Sequence, residues 1–186
     1  MLSKMSKIYE VVVFTASDQA YADSILDRID KEKVWIHHRL YRENCAEYAN
    51  NVYIKDLRVL GRDMRNVIIV DNAAYAFALQ LENGYPITPF YNCKEDDEIY
   101  KLSQYLEKIQ NSDDIQAENR MKFKLTKLLE MDIGKFIQYY HPGTTDVVSN
   151  ESVPTLNDED PGISKNITSA LVSYQKELDI LYGKKN

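Results

Sequence analysis

The chain predicts an α/β fold built on a parallel sheet. Two short runs, Val11–Phe14 and Val67–Val70, are apolar without alternation, the pattern of strands buried on both faces. Helical patterns separate and follow them, and strands that alternate with helices form parallel sheets whose ligands sit beyond the strands' carboxyl ends. Each run ends in polar residues, Thr15-Ala16-Ser17 after the first and Asp71-Asn72 after the second, which places both sets on one rim.

Residues 1–10 read as the last turns of a helix, with Leu2, Met5 and Ile8 on one side. After the first strand, Ser17-Asp18 can cap a helix through about Asp30, in which Ala20, Ala22, Ile25, Leu26 and Ile29 form an apolar stripe. A strand is expected over Val34–Tyr41 and a short one over Val52–Ile54. Asp56–Leu60 makes a helical turn stopped by Gly61. Asn83-Gly84-Tyr85-Pro86 reads as a turn leading into a strand at Ile87–Phe90. Asp96–Gln110 is an amphipathic helix with Ile99, Leu102, Tyr105, Leu106 and Ile109 at helical spacing.

The bulk composition narrows the function. At 186 residues the chain divides into a domain over 1–130, an extension and linker over 131–165, and a helix over 166–186 that docks on its own domain or meets a partner. The linker holds three of the five prolines and the acidic patch Asn157–Asp160. A net charge of −6 argues against broad nucleic-acid binding, which needs a basic face. No run approaches the roughly 20 apolar residues that cross a bilayer. Two scattered cysteines, Cys45 and Cys93, fit reduced residues of a nuclear or cytoplasmic protein. Asn166-Ile167-Thr168 reads as a chance match to a glycosylation acceptor.

The polar strand ends suit phosphoryl chemistry, which needs donors to the phosphoryl oxygens and a cation for the developing charge. Thr15 and Ser17, where a strand meets a helix N-terminus, can offer hydroxyl and backbone N–H groups to an anion. Lys55 supplies a compact charge able to pair with phosphate and a carboxylate together. Asp71 can orient that lysine, and Asn72 offers a hard neutral oxygen suited to Mg²⁺. Taken singly, each is more often structural. Arg42 either reaches a phosphopeptide or pairs with Glu43 or another acid, and His37 and His38 read as structural.

The surrounding motifs, in order, are Phe14-Thr15-Ala16-Ser17 with Tyr21-Ala22-Asp23, and Arg39-Leu40-Tyr41-Arg42-Glu43-Asn44-Cys45. Tyr53-Ile54-Lys55-Asp56-Leu57 follows with Leu60-Gly61-Arg62-Asp63, then Ile69-Val70-Asp71-Asn72 and Pro86-Ile87-Thr88-Pro89-Phe90-Tyr91. This set resembles the small phosphatases acting on the RNA polymerase II C-terminal domain, the NLI-interacting-factor-like (FCP/SCP-type) branch of the haloacid dehalogenase superfamily. The resemblance implies a Rossmann-like parallel sheet flanked by helices and a Mg²⁺-dependent aspartyl-phosphate mechanism on a phosphoserine or phosphothreonine protein. It gives Thr15 the binding of the transferred phosphoryl group and Lys55 the stabilisation of nucleophile and phosphoryl charge. Asp71 would orient Lys55, Asn72 would ligate Mg²⁺, and Tyr21 would help form a pocket for a proline beside the phosphoserine. Asp18 stands where relatives often carry an apolar pocket residue, a departure that bears on proline-directed specificity.

One motif is missing. In this family an Asp-x-Asp-x-Thr/Val motif lies on a central first strand, tens of residues before the Phe-Thr-Ala-Ser segment. Here fourteen residues precede Thr15 and none is aspartate; the nearest acid is Glu10. The chain as written is therefore expected to bind Mg²⁺ weakly and not to turn phosphate over. It reads as a fragment of such a phosphatase, with a non-catalytic phosphopeptide- or partner-binding relative as the alternative. Without the central strand, either its two neighbours close on each other or something else fills the gap.

Overall fold

The computed structural model describes residues 1–49 and 52–123. The expected linker over 131–165 and the helix over 166–186 lie outside the described residues. In chain order the elements are α1 (Leu2–Met5), β1 (Val12–Phe14), α2 (Gln19–Ile29), β2 (His38–Leu40), β3 (Ala46–Ala49), β4 (Val52–Ile54), β5 (Ile69–Asp71), β6 (Gly84–Pro86), α3 (Glu98–Ile109) and α4 (Ile115–Phe123). Short 3₁₀ turns join them, the longest over Ala74–Asn83 with a kink at Phe77 and Gln80.

The α/β class is as the sequence predicts, but the ladders among the described residues are three two-stranded pieces. β1 pairs parallel to β2, β5 parallel to β6, and β3 antiparallel to β4. No ladder joins β1 to β5. β1 and β5 have thus not closed on each other, and a cavity of about 760 Å³ lies between them.

The core gathers around β4, β5, β6, α3 and α4. Val52, Ile54, Leu57, Ile69, Tyr85, Leu102, Leu106, Ile109 and Phe123 are all buried there. Tyr85, Tyr105 and Phe123 form an aromatic cluster with centroids 5.3–6.2 Å apart, in tilted and edge-on contacts. The Tyr105 hydroxyl donates to Asn119 Oδ1 at 2.8 Å, and Asn119 Nδ2 donates to the Glu82 carbonyl at 2.8 Å, so this polar pair is satisfied inside the core.

The expected turn at Asn83–Pro86 is instead β6, and Ile87–Phe90 is not a strand. Asn-Gly reads locally as a turn, but tertiary contacts decide otherwise. Asn83 is fully buried, its Nδ2 donating to the carbonyls of Met64 and Val67 at 2.6 and 2.7 Å while its Oδ1 accepts from Gln116. A Cβ on Gly84 would lie 2.1 Å from a ring carbon of Phe77, so only glycine lets that ring pack across the strand. Pro86 ends the strand, and Ile87 N–H then donates to the Asp71 carbonyl at 3.1 Å.

The β1–α2–β2 unit differs from expectation in two ways. The strand expected over Val34–Tyr41 is only His38–Leu40, because Asp30 holds the preceding backbone in a loop. Its carboxylate accepts from the N–H groups of Val34, Trp35 and Ile36 at 3.0, 2.9 and 2.8 Å. The apolar stripe of α2 is also not a buried face: Ala22 is buried, while Ile25 and Ile29 are 41% and 47% exposed. The helix is fixed by its cap, Asp18 Oδ1 accepting from Tyr21 N–H at 3.0 Å, and by Arg39, which pairs with Asp23 and Asp27 at 2.6 and 2.8 Å. Elsewhere the sequence reading holds: the 3₁₀ turn Leu57–Leu60 is capped by Asp56 and ends at Gly61 with φ +61°, and α3 buries Leu102, Tyr105, Leu106 and Ile109 while Ile99 stays exposed.

Candidate functional site

Thr15 follows the last residue of β1. Its N–H donates to the Leu40 carbonyl at 3.0 Å, which extends the β1–β2 ladder by one bond. Its Oγ1 accepts from Ser17 N–H at 3.1 Å, closing a tight turn that leads into α2. The Thr15 hydroxyl keeps its own proton to donate. Ser17 is half-buried in the same turn, and its carbonyl accepts from Arg42 N–H at 3.0 Å.

Lys55 follows β4, and Asp71 ends β5. The Lys55 ammonium donates to Asp71 Oδ2 at 2.5 Å, with the two side chains 14% and 9% exposed. The other carboxylate oxygen accepts from Ala73 N–H at 2.8 Å, which fixes the rotamer of Asp71. Lys55 is further fixed through its N–H to the Ala76 carbonyl at 2.7 Å. The structure thus brings together Asp71 and Lys55, the two residues that the sequence reading pairs. A part-buried pair with both carboxylate oxygens occupied holds the cation in place more firmly than an exposed one.

Cys45 joins the two halves. Its thiol donates to the carbonyls of Thr15 and Tyr41, each at 3.8 Å. Burial pushes the thiol pKa up, opposed by the nearby charges of Lys55 and Arg42 and reinforced by Asp71 and Glu43. Thr15 thus follows β1 and Asp71 ends β5, each at the carboxyl end of its strand.

Arg42 takes neither of its simplest forms. No carboxylate pairs with it among the described residues; its Nε donates to the Ala16 carbonyl at 2.6 Å and its guanidinium lies 5.4 Å from the Tyr53 ring centroid. It is exposed and set directly beside the Thr15–Ser17 turn. Asn72 follows β5 in a bend, half-buried. Tyr21 lies on the first turn of α2 with its side chain 59% exposed. His37 and His38 sit at the opposite, amino-terminal end of β1, where His37 Nδ1 accepts from Val11 N–H and His38 pairs with Glu10, in keeping with a structural role.

Sequence reasoning missed Cys45 and Tyr53 as parts of the site. Cys45 was read as a reduced cysteine and Tyr53 as a strand residue, each inside a family motif but with no role of its own. Tyr41 was missed too: its hydroxyl donates to Asp23 at 2.8 Å, in the Arg39 network that fixes α2 against β2. A spaced polar-aromatic pattern gives no sign of which residues meet across strands.

Fold and rim together define a class, an α/β domain with a polar, cation-bearing rim at the carboxyl ends of parallel strands. The sequence pattern of the NLI interacting factor-like phosphatases matches residues 1–116, and the chain belongs to that family. It is similar to CTD small phosphatase-like protein 2 of Dictyostelium discoideum, at 42% identity over 69% of this chain and 22% of that protein. It is similar, also at 42% identity, to CTD small phosphatase-like protein 3 of Caenorhabditis elegans, over 67% of this chain and 43% of the relative. The human Carboxy-terminal domain RNA polymerase II polypeptide A small phosphatase 1 shares 36% identity over 61% of this chain and 43% of its own length. The chain thus spans less than half the length of each of these relatives.

Proposed function

We propose that this chain is the phosphoryl-recognition part of a nuclear or cytoplasmic protein serine/threonine phosphatase of the RNA polymerase II C-terminal-domain type. By itself it binds a phosphoserine or phosphothreonine peptide without turning it over. The observations that support this reading are the part-buried Lys55–Asp71 pair at the end of β5 and the Thr15 turn at the end of β1. A phosphoryl dianion would take hydrogen bonds from the Thr15 hydroxyl and charge from Lys55, with Ser17 offering its hydroxyl at the turn. Arg42, held by Ala16 and Tyr53 with its Nη groups free of any carboxylate among the described residues, would grip a further anionic or carbonyl oxygen of the peptide. Tyr21 would face the peptide side chain beside the phosphoserine.

Turnover in this family's scheme runs through an aspartyl-phosphate with Mg²⁺. The support for an incomplete reaction here is the donor set: Asp71 is already bound at both oxygens, and Asn72 is a single neutral ligand. Among the described residues no group of three His, Cys, Asp or Glu could hold a metal ion. No step of the reading passes through a Mg²⁺ ion.

The test pairs fluorescence anisotropy on a labelled phosphoserine peptide with an assay of p-nitrophenyl phosphate hydrolysis in Mg²⁺. Saturable binding is expected, at least about tenfold tighter than to the unphosphorylated peptide, with no hydrolysis. Lys55→Met and Arg42→Ala should each weaken binding about 10- to 100-fold, as expected for charge-assisted bonds. Hydrolysis by the chain itself would refute the incomplete reaction, and unchanged binding in a folded Lys55→Met variant would refute the site.

A further inference from the structure

The rim carries two exposed aromatic side chains that the phosphoryl site does not use. β6 runs parallel to β5, and the Ile87 N–H just past β6 donates to the Asp71 carbonyl at 3.1 Å. The chain therefore leaves this ladder beside Asp71, at the carboxyl end of both strands. Phe90 and Tyr91 follow Ile87 by three and four residues, a reach of at most about 11 and 14 Å. Their side chains are 67% and 55% exposed. Neither makes a hydrogen bond or ring contact among the described residues. Adjacent exposed rings at the edge of a site mark a surface that meets a partner.

The charge that follows the rings is negative. Lys94-Glu95-Asp96-Asp97-Glu98 leads into α3, where Lys101 is the next cation. Lys101 is shared by Asp97 at 2.7 Å and Glu98 at 3.1 Å. Glu95 is exposed and has no cationic partner among the described residues. Asn92 at φ +57°, with the Asp96 N–H donating to the Cys93 carbonyl at 3.2 Å, turns the chain between the rings and the acids. One side chain suits both features. A guanidinium stacks on aromatic faces and pairs with carboxylates, whereas an ammonium holds its hydration more strongly. An apolar side chain would use the rings and leave the acids unmatched.

We propose that Phe90 and Tyr91, with the acids that follow them, dock an arginine of the phosphopeptide about three or four residues from its phosphorylated side chain. An extended peptide covers the distance from the rim to the rings in that many residues. Arg42 lies on the β1–β2 side of the rim and the rings follow β6, so the arginine is on the flank opposite the one Arg42 grips. This rests on the phosphopeptide reading of the rim and adds to it a selectivity for sequence.

The probes are labelled phosphoserine peptides of alanine and glycine, titrated onto the full chain by fluorescence anisotropy, with a single arginine moved in turn through every position on both flanks. An arginine on one flank, about three or four residues out, is expected to tighten binding about fivefold or more over the arginine-free parent, and lysine there by less. In a Phe90→Ser, Tyr91→Ser variant and in Glu95→Lys, each shown by circular dichroism to be folded, the affinity ratio of arginine peptide to parent should fall to about one. A parent that binds while no arginine placement improves it overturns the docking alone and leaves the phosphoryl site standing. An equal gain on both flanks overturns it by assigning the effect to the net charge of −6. A gain that survives in the folded Phe90→Ser, Tyr91→Ser variant also overturns it. A parent that fails to bind, or binds Lys55→Met equally well, removes the phosphoryl reading and the docking with it.

Discussion

The two halves of the described domain are held by different forces. Around β5 and β6, apolar side chains converge from β4, α3, α4 and the Ala74–Asn83 segment into one buried cluster. Around β1 and β2, no strand residue is fully buried, and only Ala22 of α2 is. That half is held by polar bonds: the Arg39 pairs with Asp23 and Asp27, the Asp30 carboxylate over three amides, and the Asp18 cap. The apolar run Val11–Phe14 is as hydrophobic in sequence as Val67–Val70. Yet Val11–Phe14 is only half-buried, while Val67 and Ile69 pack into the apolar cluster, so burial here follows packing neighbours rather than hydropathy.

The sharpest way to break the contrast is a deletion in the packed half. Phe123→Ala removes a ring with 0% exposure from the aromatic cluster and should cost about 3–5 kcal/mol, read from urea unfolding. Gly84→Ala comes next. Its Cβ would meet the Phe77 ring at 2.1 Å, so overpacking should cost about 1–3 kcal/mol. A Gly84→Ala, Phe77→Leu double variant should recover part of that loss in the same measurement, because the two sites share one contact.

The polar half should respond to pH instead. Burial raises the Asp30 pKa, but the Ile36, Trp35 and Val34 amides and the Arg39 charge outweigh it and hold the carboxyl below its ordinary range. A depressed folded pKa gives stability that is present above the unfolded carboxylate value and lost as pH falls through the folded one. Melting temperature should therefore fall with acid below about pH 4, near the unfolded aspartate pKa. Asp30→Asn should lower stability at neutral pH and flatten part of that acid slope. An unchanged slope would show that Asp30 does not link this half to pH. The smallest effect belongs to the stripe that looked like a buried face: Ile25→Ala, at a position 41% exposed, should shift stability by no more than about 0.5 kcal/mol.

Local signals were legible where chemistry acts within a few residues. Asp18 caps its helix through its own side chain and Gly61 ends its turn at positive φ, as their positions in the sequence predict, whereas Asp56, read as part of the turn, caps it. The pairing of Lys55 with Asp71 was anticipated as well, although Lys55 follows β4, a strand in the antiparallel piece rather than a parallel one. Asn83–Pro86 was misread because its strand form depends on Phe77, Met64, Val67 and Gln116, partners that local turn propensity does not register. Arg42 was left open between two roles, and the structure sets it against Ala16 and Tyr53 with no acid paired to it among the described residues.

By itself, then, the sequence determined the α/β class, the helices at Gln19–Ile29 and Glu98–Ile109, the polar residues at the strand ends and the family, since each is written in short-range pattern or in an ordered set of motifs. Only the tertiary structure decided that β6 is a strand, that α2 is surface-held by ion pairs, that Cys45 and Tyr53 belong to the rim, and that β1 and β5 stand apart around an open cleft. Those features depend on which backbone and side-chain groups meet across tens of residues, and hydrogen-bond satisfaction and packing settle that only when the whole chain is folded.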